Sequence, residues 1–177
     1  MSEDCKYVIR PAVEADVEAL AAMRLRLQAH LQVGTPVVSP FSEEHIATLP
    51  EFYRNALAQN RYAVVSAAEG IDVPVAMLIA RIEDVPGIVP RLYGRVDDVW
   101  VDPEHRRRGL CKRMMRAAVE YFRERGIEKM VLNWAPGNIE ARETWTRMGF
   151  VPFHISGVAP LETISNAVED KRESASL

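Results

Sequence analysis

Asp97-Asp98-Val99-Trp100-Val101-Asp102-Pro103-Glu104-His105-Arg106-Arg107-Arg108-Gly109-Leu110-Cys111-Lys112-Arg113-Met114-Met115 is the stretch on which the reading of this chain turns. It begins as an apolar strand, turns at Pro103, runs through three arginines and a glycine, and then opens a helix. Gly109 carries no Cβ, so an anion can approach the backbone and the turn can take a positive φ. The first helical turn leaves about four N–H groups without intrahelical partners. The helix macrodipole adds roughly half a positive charge there. Arg106, Arg107, Arg108 and Lys112 contribute full charges, and the arginines contribute forked donors suited to phosphate. The layout implies a phosphate-bearing ligand. An arginine run alone is most often a solvated surface; the strand before it and the amphipathic helix after it favour a ligand. Neither G-x-x-x-x-G-K-[ST] nor G-x-G-x-x-G occurs in the run, which argues against a nucleotide P-loop or a dinucleotide fingerprint.

Outward from this stretch, Leu110, Met114, Ala117, Ala118 and Tyr121 form a helical stripe facing a core, and Gly126 ends that helix. Upstream, Arg95 to Val101 is a strand whose apolar residues Val96, Val99 and Val101 break strict alternation, the mark of a β-bulge. Tyr7 to Arg10, Tyr62 to Ala67 and Val75 to Ile82 read as further strands, with turn chemistry at Glu69 to Asp72 and a wide loop from Asp84 to Pro90. Glu14 to Gln32 is a helix, stopped by Gly34-Thr35-Pro36, with Asp16 and Glu18 favouring its start. Ser42 or a neighbour caps a second helix, with Glu44 and His45 in its first turns and Leu57 near its end. Downstream, Lys129 to Trp134 is a strand, Asn138 caps another helix, and Phe150 to Gly157 is a final strand. From Glu162 the chain becomes a polar tail expected to be poorly ordered.

The chain has 177 residues, 48% hydrophobic and 27% charged, which suits one soluble domain. The expected organisation is a single domain over 1–177, with a core at about 6–158 and a tail at 162–177. Its net charge is −3, and the positive charge gathers around Arg106 to Arg116. A nucleic-acid module would be basic overall, so no nucleic acid is expected as a partner. No apolar stretch is long enough to span a membrane, and the acidic start Met1-Ser2-Glu3-Asp4 does not read as a signal peptide. Two cysteines, Cys5 and Cys111, suit a reduced cytoplasmic setting. The four histidines are scattered, so no metal site is expected.

Val101-Asp102-Pro103-Glu104-His105-Arg106-Arg107-Arg108-Gly109-Leu110-Cys111 resembles the acetyl-CoA loop of the GNAT superfamily of N-acetyltransferases, V-x-P-x-[YH]-[RQ]-x-x-G-x-[GA]. Val101, Pro103, His105, Arg106 and Gly109 match; Cys111 stands where Gly or Ala is usual. Asn138 to Phe150 is similar to a second family segment, N-x-x-A-x-x-x-Y-x-x-x-G-F. Asn138, Ala141, Gly149 and Phe150 match, and Trp145 replaces the tyrosine. The resemblance covers roughly residues 6 to 158. It implies an α/β (α+β) fold: a mixed, mostly antiparallel sheet of 6–7 strands with splayed central strands, flanked by about four helices.

The resemblance also implies acetyl transfer from acetyl-CoA to an amine by direct attack in a ternary complex. Backbone groups of Val99, Trp100 and Val101 would hold the pantetheine and thioester. Arg106, Arg107, Arg108, Gly109, Leu110, Cys111 and Lys112 would hold the diphosphate, and Asn138 and Arg142 the rest of the coenzyme. Only about one lysine-like amine in a thousand is unprotonated at neutral pH, so a general base is needed. Asp97 is the first candidate and Asp98 the second. The alternative is that each aspartate caps a turn or pairs with an arginine. Glu83, Glu44 and His45 are weaker candidates. Trp145 cannot supply a proton as the family tyrosine does, although a thiolate with a pKa near 8.5 is a tolerable leaving group. Tyr121 and Tyr93 are the other phenols in reach of the argument, and an acetylated Cys111 is disfavoured by its place in the loop. Segments 30–60 and 83–95 are expected to wall the acceptor cleft, where Glu43, Glu44, Glu83 and Asp84 could attract a cationic amine. A homodimer is compatible with this reading. The missing tyrosine leaves one alternative open: a non-catalytic acyl-CoA-binding sensor with the same fold.

Overall fold

The structure is a computed structural model and describes residues 7–35, 37–59, 62–69, 73–154 and 156–173. Pro36, the core of the turn expected at 70–72 and the extreme N-terminus lie outside the described residues. The chain divides into two compact units, Met1–Arg142 and Glu143–Leu177.

The first unit is built on a five-stranded sheet in the order β1-β2-β3-β4-β5. Strands β1 (Tyr7–Pro11), β2 (Tyr62–Glu69), β3 (Pro74–Asp84) and β4 (Leu92–Val101) pair antiparallel in succession. Strand β5 (Met130–Leu132) pairs parallel with β4. Parallel neighbours need a crossover, and helix α3 (Leu110–Arg123) supplies it.

Side chains alternate across the strands, so the sheet buries both faces. On one face Met77, Ile79 and Trp100 pack with residues of α1 (Val17–Gly34) and α2 (Glu43–Ala58), including Leu20, Met23, Leu49 and Tyr53. On the other face α3 covers the sheet with Leu110, Met114, Met115, Ala118 and Phe122 buried. Gly94 marks a close approach there: a Cβ on it would lie 2.6 Å from the Phe122 ring. The buried stripe of α3 is rotated from the expected one, ending on Phe122 while Tyr121 is half-buried. Asp16, fully buried, joins β1 to α1: it accepts bonds of 2.5 and 2.9 Å from Arg10 and one of 2.9 Å from the Val13 amide.

Two local features position the site. Opposite β3, Ile79 pairs with Asp98 while Ala80 pairs with Val96, so Asp97 is the extra residue of a bulge. Strands β4 and β5 pair only from Gly94↔Met130 to Val96↔Leu132. Beyond that point β4 runs on to Val101 and β5 has ended, so β4 loses its neighbour on that side.

The second unit holds the end of α4 (Ile139–Arg147) and α5 (Leu161–Glu173). Trp145 is buried and meets Phe150 edge-on, ring centres 6.2 Å apart. Three sequence expectations are corrected among the described residues. The sheet has five strands, not 6–7. The described part of 150–157 forms no strand; Pro152 has no N–H to give a ladder. The polar segment from Glu162 lies in a helix, α5, which makes five α-helices rather than about four. The residues that α5 uses, Glu162, Ala167, Glu169 and Lys171 among them, are good helix formers. No helix among the described residues is long and apolar enough to cross a membrane.

Candidate functional site

The register of β3 and β4 determines where the backbone donors of β4 point. The Asp102 amide donates to the Val75 carbonyl at 2.9 Å. Hydrogen-bonded pairs in an antiparallel ladder alternate. Trp100 and Asp98 therefore turn their amides toward β3, opposite Met77 and Ile79. Val99 and Val101 turn theirs the other way, to the side where β5 has ended.

After β4 the chain makes a 3₁₀ turn at Pro103–His105 and a tight loop into α3. Arg107 (φ 62°) and Gly109 (φ 74°) are both left-handed, and such turns gather successive N–H groups on one side. No side chain caps α3, and its first intrahelical bond is Arg113 N–H to the Gly109 carbonyl, 3.0 Å. The amides of Leu110, Cys111 and Lys112 thus have no acceptor within the helix. Arg107, Arg108 and Lys112 are exposed around them. The loop is pinned to β1, where His105 Nδ1 lies 3.0 Å from the Tyr7 hydroxyl and Arg113 donates to the Tyr7 carbonyl at 2.9 Å.

Arg106 is engaged differently from its two neighbours. Its Nε donates to the Val101 carbonyl at 3.1 Å, its guanidinium lies 5.1 Å from the Trp100 ring centre, and one terminal nitrogen is 3.5 Å from Glu140. The Trp100 indole N–H donates to Asp102 at 2.7 Å, and Asp102 also meets Arg26 of α1.

The bulge sets Asp97 and Asp98 side by side, and each has an arginine. Asp97 accepts from Arg81 Nε at 3.0 Å, and Asp98 lies 3.1 Å from Arg24 Nε. Burial raises both carboxyls above the usual carboxylate range in spite of those arginines; the charge of Asp97 adds to the effect on Asp98. Tyr53, fully buried, donates weakly to Met77 Sδ, and burial together with Asp98 pushes its hydroxyl well above the usual phenol range. Glu83 and Asp84, expected to draw in a cationic amine, are themselves paired: Glu83 with Arg95 at 2.7 Å, Asp84 with Arg91.

Asn138 caps α4, its side chain accepting from the Ala141 amide at 3.0 Å, and Arg142 is exposed on the same helix. Cys111 is largely buried, and burial pushes its thiol up to about 11. Tyr121 packs under Arg125, 3.7 Å from ring centre to guanidinium. Trp145 lies in the second unit, where it is buried.

The acetyltransferase (GNAT) family model matches residues 26–150. The chain belongs to the GNAT family. Mycothiol acetyltransferase of Nocardia farcinica is 36% identical over 62 residues, 35% of this chain. The GNAT chain described here spans only about a fifth of that relative's length (20%). A predicted acetyltransferase from Clostridium acetobutylicum, solved with acetyl-CoA, superposes with a TM-score of 0.72 at 20% identity, over 89% of this chain and 97% of that one. AAC(6')-Iy, solved in complex with the bisubstrate analogue CoA-S-monomethyl-acetylneamine, gives a TM-score of 0.65 at 17% identity, over 87% and 97% of the two chains. At these identities the structural likeness is one of fold.

Within this GNAT chain, sequence reasoning missed Arg24, Arg81 and Tyr53. Nothing local signals Arg24 or Tyr53: they sit in α1 and α2, and only the packing of those helices on the sheet brings them to Asp98. Arg81 could have been found, since it belongs to the hairpin partner of the strand carrying Asp97.

Proposed function

We propose that this GNAT protein transfers the acetyl group of acetyl-CoA to a primary amine by direct attack in a ternary complex. The observation that carries the reading is the gap beyond Val96 and Leu132, bordered by the outward amides of Val99 and Val101 and followed at once by the uncapped start of α3. The diphosphate of acetyl-CoA suits the amides of Leu110, Cys111 and Lys112 with Arg107, Arg108 and Lys112 around them. The outward N–H groups of β4 suit the pantetheine and the thioester carbonyl. A donor aimed at the developing oxyanion is commonly worth about 3 kcal/mol.

In this reading Asp97 takes the proton from the incoming ammonium, directly or through water, and Asp98 holds its place with Arg24. The free amine attacks the thioester carbonyl, the C–N bond forms, the C–S bond breaks, and the nitrogen gives up its second proton to solvent. CoA leaves as a thiolate and takes a proton from solvent, since Trp145 is no acid. Asn138 and Arg142 contact the remainder of the coenzyme. We read the whole chain as one acetyltransferase domain acting in the cytoplasm, with a homodimer compatible; the family model crosses the boundary at Arg142, which supports the single domain.

A thiol-release screen over amines, amino acids, amino sugars and peptides tests the proposal. Saturable CoA release with at least one amine is the expected result. The indole at Trp145 favours a second reading, an acyl-CoA sensor. That reading holds if acetyl-CoA binds and no acceptor in the screen releases thiol; absence of binding at millimolar acetyl-CoA would overturn both.

A further inference from the structure

Arg106 is the first arginine of the loop, and its sequence position suggests a phosphate ligand. Its contacts point elsewhere. Val101 presents its amide group on the side of β4 that β5 has vacated, so its carbonyl oxygen would face an arriving diphosphate or thioester with partial negative charge. Arg106 Nε donates to that oxygen at 3.1 Å. The guanidinium lies 5.1 Å from the ring centre of Trp100, which is itself held through its indole N–H by Asp102. A terminal nitrogen reaches Glu140 in the first turn of α4 at 3.5 Å. One planar fork therefore ties the end of β4, the loop and the start of α4 together. Arg107 and Arg108, by contrast, are exposed on the loop.

We propose that Arg106 is a positioning residue for the coenzyme site: it covers the outward carbonyl of Val101 and sets the loop against α4 through Glu140, while Arg107, Arg108 and Lys112 carry the phosphate charge. The inference rests on the reading that this loop binds CoA. Two physical consequences separate it from direct phosphate binding. The role needs the flat fork and its π-face, which lysine lacks, so charge alone does not restore it. It also leaves the number of cations meeting the phosphates unchanged, so the salt dependence of binding stays the same when Arg106 is replaced. Removing a direct phosphate contact weakens that dependence.

The test is calorimetric titration of the full chain with CoA at three salt concentrations, for wild type and for Arg106→Gln, Arg106→Lys, Arg108→Gln and Glu140→Gln. Both Arg106 variants are expected to bind about tenfold more weakly, a loss typical of a charge-assisted bond. Their plots of log affinity against log salt should run parallel to wild type, while Arg108→Gln gives a shallower one. Glu140→Gln, a mild change at an exposed site that does not threaten folding, is expected to weaken CoA two- to threefold, about what a largely exposed pair contributes, with the same slope. In turnover, KM for acetyl-CoA should rise in the Arg106 variants with little change in kcat. A shallower slope in Arg106→Gln, or wild-type affinity in Arg106→Lys, overturns the positioning role while leaving the loop assignment intact. No CoA binding by wild type overturns the loop assignment itself.

Discussion

Asp98 Oδ2 lies 3.1 Å from Arg24 Nε, and the arginine reaches it from α1 across the face of the sheet. The pair is mostly buried, with 15% of the aspartate side chain and 19% of the arginine side chain exposed. Arg24 also donates to Gln28 and stacks on Phe41, so its guanidinium is held from three sides. Asp98 is fixed in place, whereas its neighbour on the bulge, Asp97, is about a third exposed. That difference leaves Asp97 more open to solvent than Asp98.

Asp97→Asn is expected to lower kcat by about two orders of magnitude, the usual range for losing a general base. KM for acetyl-CoA should stay near its wild-type value. Steady-state kinetics across pH 6–9 measures this, and wild-type activity in Asp97→Asn would remove Asp97 from the chemistry.

The raised carboxyl of Asp98 has a signature in stability. Its folded value lies above the ordinary unfolded one, so protonation favours the folded state. The stabilisation is complete below about pH 4, the unfolded value, and is lost as pH rises through the folded one. Asp98→Asn cannot titrate. As pH falls from 7 toward 4, the Tm of wild type should therefore gain on that of Asp98→Asn, as measured by thermal unfolding. A relative loss over the same window would mean that the ion pair with Arg24 outweighs burial.

Cys111 should be inert. With its thiol pushed up to about 11, almost none is thiolate at pH 8. In a Cys5→Ser background, alkylation of native protein by iodoacetamide should run at least about tenfold slower than in denaturant, where the thiol returns to an ordinary value. Equal rates would contradict the burial.

Trp145→Tyr tests whether an acid is missing. A CoA thiolate leaves tolerably well unaided, so turnover should change by less than about threefold, far below the hundredfold or more that a general acid can supply. A rise of tenfold or more would show that protonation of the leaving group limits the native protein.

Gly94→Ala should be costly because its Cβ would meet the Phe122 ring at 2.6 Å, and that ring is 1% exposed. Overpacking of this kind costs about 1–3 kcal/mol, a fall of several degrees in Tm for a chain of this size. Adding Phe122→Leu makes room and should recover part of the loss. A double variant no more stable than Gly94→Ala would place the strain elsewhere.

The amino-acid sequence by itself determined whatever depends on neighbours along the chain. Ser42 and Asn138 cap α2 and α4 through their own side chains, as side-chain oxygens at helix starts do. The broken alternation of Val96, Val99 and Val101 announced a bulge in β4, because a one-residue insertion shifts every later side chain to the opposite face; only the pairing with β3 places it at Asp97. Gly109 announced the left-handed turn into α3, and the apolar spacing announced the helix itself. Tertiary structure decided the rest. That Asp98 meets Arg24, that Arg106 turns inward to Val101 and Glu140, and that Glu83 and Asp84 are already paired all depend on how distant segments pack. So does the fate of the described part of 150–157, where alternating apolar residues resemble a strand but a strand exists only where another strand accepts its hydrogen bonds. Local steric and capping rules act over a few residues and can be read in order; ion pairs and sheet pairing join segments whose proximity only the folded chain creates.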